Sequence, residues 1–352
     1  MTAFEIIDNR NRWISILRNF NPIDCYYSFE YGKSFARKED GELFAAYFEN
    51  GKTKIFYPFI KRQVPFVKEE IFDIVTPYGY GGPHIVWADE DSVLLFNELF
   101  GHYCKTNRII TETIRFHPLY GNQKFFKNLF DVEYIRQTTA VDLTLALEEI
   151  RNHYTSMTKR NIKTARKNNL TCVVAEGNKD NIHSFMDLYY ETMKRLHATN
   201  YYYFDEEFFL EQVKDTDISN THLLVTKMNN EIIAAVMVLT GQEFSHYHLG
   251  ASRTNSLALR PNNLLFDFMI EFCQSKGSKM LHLGGGYRDN DGLFTFKTSF
   301  TNQNHFPYYI GKKVHDALEY SRIIDRLTKE FQVNESYFPI YRGQLHRKQL
   351  QS

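Results

Sequence analysis

The chain has 352 residues, with 42 Lys+Arg balancing 42 Asp+Glu, 43% hydrophobic residues and 24% charged ones. That length exceeds one ordinary core and predicts two domains, and the composition excludes a disordered or fibrous chain. Zero net charge argues against a protein built along a phosphate backbone, while leaving room for a local basic face. The longest apolar runs, such as residues 43–48, fall far short of the ~20 residues of a membrane helix. The opening Met1-Thr2-Ala3-Phe4-Glu5 lacks the basic, then apolar, pattern of a secretory signal. Cys25, Cys104, Cys172 and Cys273 lie far apart without metal-finger spacing and read as buried thiols in a reducing compartment. The expectation is a soluble, cytoplasmic protein with no metal and no permanently bound cofactor.

In chain order, Ile6, Trp13, Ile14 and Leu17 predict an amphipathic first helix, and a second short segment follows at 26–35. Residues 43–48 and 54–60 flank Asn50-Gly51, a strong hairpin signal. A strand at 71–75, a helix at 91–105 and a strand at 109–116 complete the set. The same order then recurs. Helices are predicted at 182–196 and 205–213, strands at 223–228 and 231–239 around Asn229-Asn230, and another strand at 243–249. A helix at 264–273 and a strand at 279–283 follow. Two hairpins half a chain apart imply duplication of one α/β (α+β) unit with a mixed, largely antiparallel sheet. The pattern is not alternating βαβ, so a doubly wound nucleotide fold is disfavoured. The basic stretch 151–167 reads as one helix joining the halves, 314–331 as a late helix, and the tail from Arg342 as frayed.

Several motifs fail on inspection. Gly32-Lys33-Ser34 resembles the end of a phosphate loop, but Tyr27 stands where its first glycine belongs. His246 and His248 share a strand face without a third ligand at supporting spacing, so they read as histidines lining a cleft.

The most informative string runs from Leu281 to Phe300. A strand ends at Leu283, and Gly284, Gly285 and Gly286 open a loop where backbone can approach a ligand closely. Asp289, Asn290 or Asp291 can cap a helix on which Leu293, Phe296 and Phe300 form an apolar face. Lys297 lies on that same face. A lysine there either snorkels to water or is held beside the glycines to stabilise an oxyanion. A second shaped loop, residues 76–83, carries Tyr78 and Tyr80 between glycines and prolines. The density of 30 Phe and 23 Tyr, with runs such as Tyr201-Tyr202-Tyr203-Phe204, predicts an aromatic-lined groove as well as a core.

Residues 76–83, Glu191-Thr192-Met193-Lys194-Arg195, Tyr201 to Phe204 and the block 284–300 together resemble the FemABX/peptidoglycan-bridge transferase group. The resemblance implies two tandem GNAT-like (acyltransferase-like) domains: 1–145, completed by 308–352, and 146–307 with the catalytic motif. It implies that Phe296 and Lys297 are catalytic, the lysine stabilising the acyl-transfer intermediate. Substrate binding is expected at Arg195, Tyr78, Tyr80, Gly284, Gly285, Gly286, Tyr203 and His248. No three-heptad arm is present, so the chain resembles the armless members. CoA-dependent relatives carry a Q/R-x-x-G-x-G/A loop where this chain has Arg260-Pro261-Asn262-Asn263-Leu264-Leu265, without glycine. Arg260, Asn262 and Asn263 are therefore the expected cofactor-binding residues, with acyl-CoA or aminoacyl-tRNA as donor co-substrate. Arg151, Lys159, Arg160, Lys163, Arg166 and Lys167, with no acid between them, offer a possible tRNA contact. The expected function is N-acyl or aminoacyl transfer onto an amine of a cell-envelope glycan or peptide precursor. The rival is a non-catalytic envelope-precursor or carbohydrate-binding protein on the same double fold.

Overall fold

Each half of the chain is organised by an antiparallel hairpin whose turn the local sequence dictates. The computed structural model describes residues 2–348 and divides the chain into two units. The first unit comprises Met1–Asn21, Phe29–Ile135 and Tyr308–Ser352; the second comprises Pro22–Ser28 and Arg136–Pro307. The division thus falls ten residues before the expected boundary at 145/146, and a short N-terminal piece belongs to the second unit.

The first unit runs β1 (Thr2–Ile7), α1 (Arg10–Leu17), α2 (Phe29–Lys38), β2 (Gly41–Asn50), β3 (Thr53–Gln63), β4 (Phe72–Val75), β5 (His84–Val86), α3 (Glu90–Thr106) and β6 (Ile109–Arg115). Residue 6 lies in a strand rather than in the expected first helix, because β1 pairs antiparallel with β2. Asn9 then caps α1 by accepting from the Arg12 N–H. The β2–β3 turn is Gly51-Lys52, with Gly51 at φ 60°. The strand order is β1-β2-β3-β4-β6, with residues 310–314 antiparallel on β6 and β5 on β3. Much of the aromatic content is core here: Phe48 lies 5.9 Å from Phe96, and Phe59 lies 5.4 Å from Phe100.

A long strand, β7 (Asp131–Asp142), carries the chain into the second unit. There follow α4 (Leu147–His153), α5 (Ser156–Lys167), β8 (Thr171–Ala175), α6 (Lys179–Arg195), α7 (Glu206–Gln212), β9 (Asn220–Met228), β10 (Glu231–Thr240), β11 (Phe244–Ser252), α8 (Pro261–Ser275), β12 (Met280–Gly284), α9 (Gly292–Thr298) and β13 (His305–Val314). The strand order is β13-β7-β12-β11-β10-β9-β8. Asn229 and Asn230, at φ 49° and 69°, make the two-residue β9–β10 turn. Helix α8 packs its Leu265, Met269 and Ile270 against Val236, Val238 and Leu281 in one core.

The expected single basic helix is two helices. The chain breaks at Tyr154-Thr155, where Thr155 caps α5 by accepting from the Thr158 N–H at 3.2 Å. Three of its six cations are already engaged: Arg151 (2.8 Å) and Arg166 (2.9 Å) grip the buried Asp267 carboxylate of α8, and Lys159 donates to the Asn152 carbonyl at 3.0 Å. After β13 the chain closes with α10 (Ala317–Glu330), β14 (Phe331–Val333) and β15 (Leu345–Arg347). The late helix therefore starts at 317, since Val314 still belongs to a strand. Arg342 is not frayed: it binds Asp73 at 2.8 Å and the Gln63 carbonyl at 2.6 Å. The rest of the expected tail, 349–352, lies outside the described residues. Cys25, Cys104 and Cys273 are buried free thiols, while Cys172 is only partly buried.

Candidate active site

The site begins with two parallel strands that part. β11 and β12 pair over three residues only, Phe244 with Met280, Ser245 with Leu281 and His246 with His282. Both strands slip register at that level. Against β10, Tyr247 faces Val238 but Leu249 faces Met237, so His248 is an extra residue. Against β7, His282 faces Ala140 but Gly284 faces Thr139. Such bulges bend a strand away from its neighbour, and the gap opens between residues 247–252 and the end of β12.

Lys297 reaches this gap. Asp291 caps α9, accepting from the Phe294 N–H at 2.8 Å, while its other oxygen accepts from the Tyr287 (2.6 Å) and Arg288 (2.9 Å) N–H groups. Burial works against its charge, yet these N–H groups hold its carboxyl below the usual range. Gly286 is required here: a Cβ would stand 1.9 Å from Asp291 Oδ1. One turn on, Lys297 Nζ donates to the Gly285 carbonyl at 2.7 Å and lies 5.0 Å from the centre of the Tyr247 ring. Lys297 is 4% exposed. Burial pushes its pKa from 10.5 down to about 7; Asp291 opposes that shift and Arg136 adds to it.

The snorkelling alternative is thereby excluded, but the predicted apolar face is corrected. Leu293 is 46% exposed, whereas Phe294 is buried with Lys297. The helix is only seven residues long, and the cap at Asp291 sets its phase. Phe296 packs edge-on against Phe266 at 4.9 Å and against Phe300 at 5.4 Å, so it holds the far side of α9.

Arg195 falls in a different group. Its guanidinium donates to the Ser252 carbonyl (3.1 Å) and Thr254 Oγ1 (2.6 Å), fastening α6 to the end of β11. Asn262 Nδ2 donates to Ser252 Oγ at 3.2 Å, so Arg195 keeps company with the expected cofactor residues. Arg260 precedes α8 in the left-handed region (φ 66°), Pro261 opens the helix, and no side chain caps it. Asn263 is buried in the first turn.

His248, the bulged residue, bonds Gln212 Oε1 of α7 at 3.0 Å. Burial, reinforced by His246, pushes its pKa down to about 3, so it is a neutral imidazole. His246 does not line a cleft: it is fully buried and bonds Asp24 at 2.8 Å. Tyr203 is exposed and stacks on Tyr190 with ring centres 6.0 Å apart, while Phe204 is buried against Phe208 at 4.1 Å. Only one of that run therefore faces solvent fully. Tyr78 and Tyr80 belong to the first unit, where Tyr78 stacks on Phe35 at 5.2 Å and Tyr80 meets Tyr308 at 5.2 Å. Three neighbours of Lys297 were not legible as site residues: Tyr247, Asp291 as the sole cap, and Arg136. A tyrosine beside the His246-x-His248 pair is the signal that could have found the first.

Residues 152–297 match the family pattern described as an acetyltransferase (GNAT) domain. Among solved structures, FemX aligns with a TM-score of 0.67 at 12% identity, covering 91% of this chain and 99% of that one. The C-terminal domain of a putative lysylphosphatidylglycerol synthetase from Agrobacterium fabrum gives 0.54 at 13%, covering 90% and 95%. L-PGS from Bacillus licheniformis gives 0.52 at 12%, covering 85% and 96%. Curated proteins gave no match. Among the described residues, no helix is long and apolar enough to cross a membrane. The matched segment is a GNAT acetyltransferase domain, a type that uses acyl-CoA as co-substrate, and over 91% of the chain the fold is similar to that of FemX.

Proposed function

Taking a GNAT acyltransferase domain within a FemX-like fold as the premise, we propose that this protein moves an acyl or aminoacyl group onto an amine of a cell-envelope glycan or peptide precursor. The observation that carries the reading is the buried Lys297 ammonium, fixed on the glycine turn at the mouth of the β11–β12 gap. The acceptor amine attacks the donor's ester or thioester carbonyl, and negative charge develops on the carbonyl oxygen. An ammonium has three donors, one of which already binds Gly285, so two remain for that oxygen. The developing anion favours the protonated lysine, against the burial that depresses its pKa. The attacking nitrogen gives up its proton, the bond from the carbonyl carbon to the donor's sulfur or ribose oxygen breaks, and the donor leaves as thiolate or, taking a proton, as the ribose hydroxyl. Holding both reactants in the gap supplies much of the remaining rate.

Two features support aminoacyl-tRNA as donor. The first turn of α8 has Asn262 and Asn263 in place of glycines, which limits close approach of a pyrophosphate. The basic helix α5 starts beside α9: Thr158 Oγ1 donates to Ser299 Oγ at 2.7 Å, and the Thr155 N–H donates to the Ser299 carbonyl. Arg160, Lys163 and Lys167 lie on that helix for phosphate contacts, and Lys159, which spends one donor on the Asn152 carbonyl, has two more. The name lysylphosphatidylglycerol synthetase on one structural neighbour is in keeping with an aminoacyl donor. A span of five strand residues, roughly 16 Å, separates Tyr247 from Ser252. An extended donor arm fits that length, so acyl-CoA is the competing donor. Incubation with acyl-CoAs and aminoacyl-tRNAs plus amine acceptors, read by mass, tests the proposal. Turnover with neither donor class, together with binding of an envelope precursor, would favour the non-catalytic rival.

A further inference from the structure

We propose that Arg136 is the positioning residue of this site: from β7 it clamps the turn at residues 285–287 on which Lys297 hangs. The inference rests on the reading of Lys297 as the oxyanion partner. Arg136 Nη1 donates to the Gly286 carbonyl at 2.7 Å and to the Tyr287 carbonyl at 2.8 Å. Lys297 takes the Gly285 carbonyl just before them. Three successive carbonyls are thus held by two cations reaching in from different elements.

The turn is also pressed onto β7. A Cβ on Gly285 would stand 2.7 Å from the Gln137 carbonyl and 3.1 Å from Arg136 Cδ. The Gln137 N–H donates to Asp289 Oδ1 at 3.1 Å, pinning the far side of the same loop. Freed of Arg136, the Gly286 and Tyr287 carbonyls would seek water, and rotation of that peptide would carry the Gly285 carbonyl, and Lys297 with it, off the gap. Both bonds leave one nitrogen, Nη1, whose two donors are fixed in the guanidinium plane.

The clamp has an electrostatic side. The charged groups that act on Lys297 are Asp291, the cap of α9, and Arg136 of β7, and the Tyr247 ring of β11 lies 5.0 Å away. Burial does most to depress the lysine's pKa; Asp291 opposes that shift and Arg136 adds to it. Removing the arginine should therefore shift Lys297 to a higher titration point. A merely structural arginine elsewhere would not do so.

The test uses the full chain and its Arg136→Met and Arg136→Lys variants. Lys297 is titrated by competitive acetylation with acetic anhydride over a range of pH, read on its peptide by mass, and turnover is measured in parallel. Arg136→Met should raise the Lys297 titration point and cut kcat on the order of 10–10²-fold with KM little changed, as expected for misplacement by about an ångström. Arg136→Lys should restore the titration point and part of kcat, since its ammonium has donors enough for both carbonyls but not their fixed plane. Should Arg136→Met fail to fold, Arg136→Gln takes its place, and a parental kcat and titration point there overturn the clamp. Unchanged titration and kcat in Arg136→Met overturn it directly. If Lys297→Met turns over at the parental rate, the oxyanion reading itself falls. If Lys297→Met is inactive while both Arg136 variants match the parent, only the positioning role falls.

Discussion

The two units carry the same hairpin and the same strand–helix–strand step, yet one is stitched shut where the other is open. In the second unit the parallel strands β11 and β12 separate after three residue pairs, and Lys297 fills the mouth of the gap. In the first, β4 and β6 stay paired along the whole of β4, from Phe72 with Ile109 to Val75 with Thr113. The pairing continues beyond β4. The Arg115 N–H donates to Thr76 Oγ1 at 2.9 Å and its guanidinium to the Thr76 carbonyl at 2.7 Å, and Gly81 bridges in parallel to Phe116. The buried polar groups differ in kind as well. Glu112 of β6 is saturated by Tyr57 (2.8 Å) and His315 (2.9 Å), so it is a finished network. Lys297 keeps donors in reserve. The closed pair also slips register, at Phe72/Asp73, so what sets the candidate site apart is that β11 and β12 stop pairing beyond His246 and His282 and that a lysine is buried beside them.

The largest expected effect is at Lys297. Lys297→Met keeps the stem and removes the charge, and kcat should fall ~10²–10³-fold, the usual value of an oxyanion donor. The same variant should be more stable at pH 6–7. A lysine whose folded pKa is near 7 against an ordinary 10.5 binds fewer protons folded than unfolded between those values. The parent's stability should therefore rise with pH across that window, and burial of the charge costs most below it. Thermal melts at pH 6 and pH 10 check this: the advantage of Lys297→Met must shrink toward the higher pH.

The pH–rate profile comes next. If the ammonium is the working form, the Lys297 limb is present below about 7 and lost as pH rises through it, while deprotonation of the acceptor amine gives the opposite limb. A bell results, and Lys297→Met should abolish its descending side. A limb that instead rises through pH 7 and vanishes in Lys297→Met would make the lysine a general base.

A smaller loss is expected from Gly286→Ala. The new methyl would collide with the Asp291 carboxylate, so the cap must swing away from the Tyr287, Arg288 and Phe294 N–H groups. Loss of such a cap costs ~1 kcal/mol, and the displaced α9 should lower kcat by about ten-fold, short of the ~10²-fold cost of a full ångström of misplacement. Chemical denaturation and steady-state kinetics together read both changes.

The hairpins were legible because Asn-Gly and Asn-Asn adopt left-handed turns at low cost, and the structure uses them within a residue of the expected places. Lys297 was legible because a glycine run followed by Phe-Lys is an unusual string. Seven strands were not: the short β5, β14 and β15, and β1, β7, β8 and β13, which form against partners distant in sequence. The phase of α9 was misread at Leu293, since in a seven-residue helix the cap outweighs the apolar pattern. The gap itself depends on register slips at His248 and Leu283, which no local pattern encodes. Arg136 is invisible for the same reason: its partners lie 150 positions downstream.

The smallest effect sharpens the comparison most. Arg115→Met removes the side-chain stitch of the first unit, the Nη1 bond to the Thr76 carbonyl, while the backbone bond to Thr76 Oγ1 survives. A hydrogen bond from a charged donor contributes about 1.5–3 kcal/mol where buried, and partial exposure places this one at the lower end. Stability should drop by ~1–1.5 kcal/mol, with kcat and the pH profile unchanged. Such an outcome means that the closed strand pair of the first unit serves the fold alone. A change in kcat or KM without loss of stability would mean that the first unit also meets a reactant, and the contrast between a closed and an open copy would no longer describe how the work is divided.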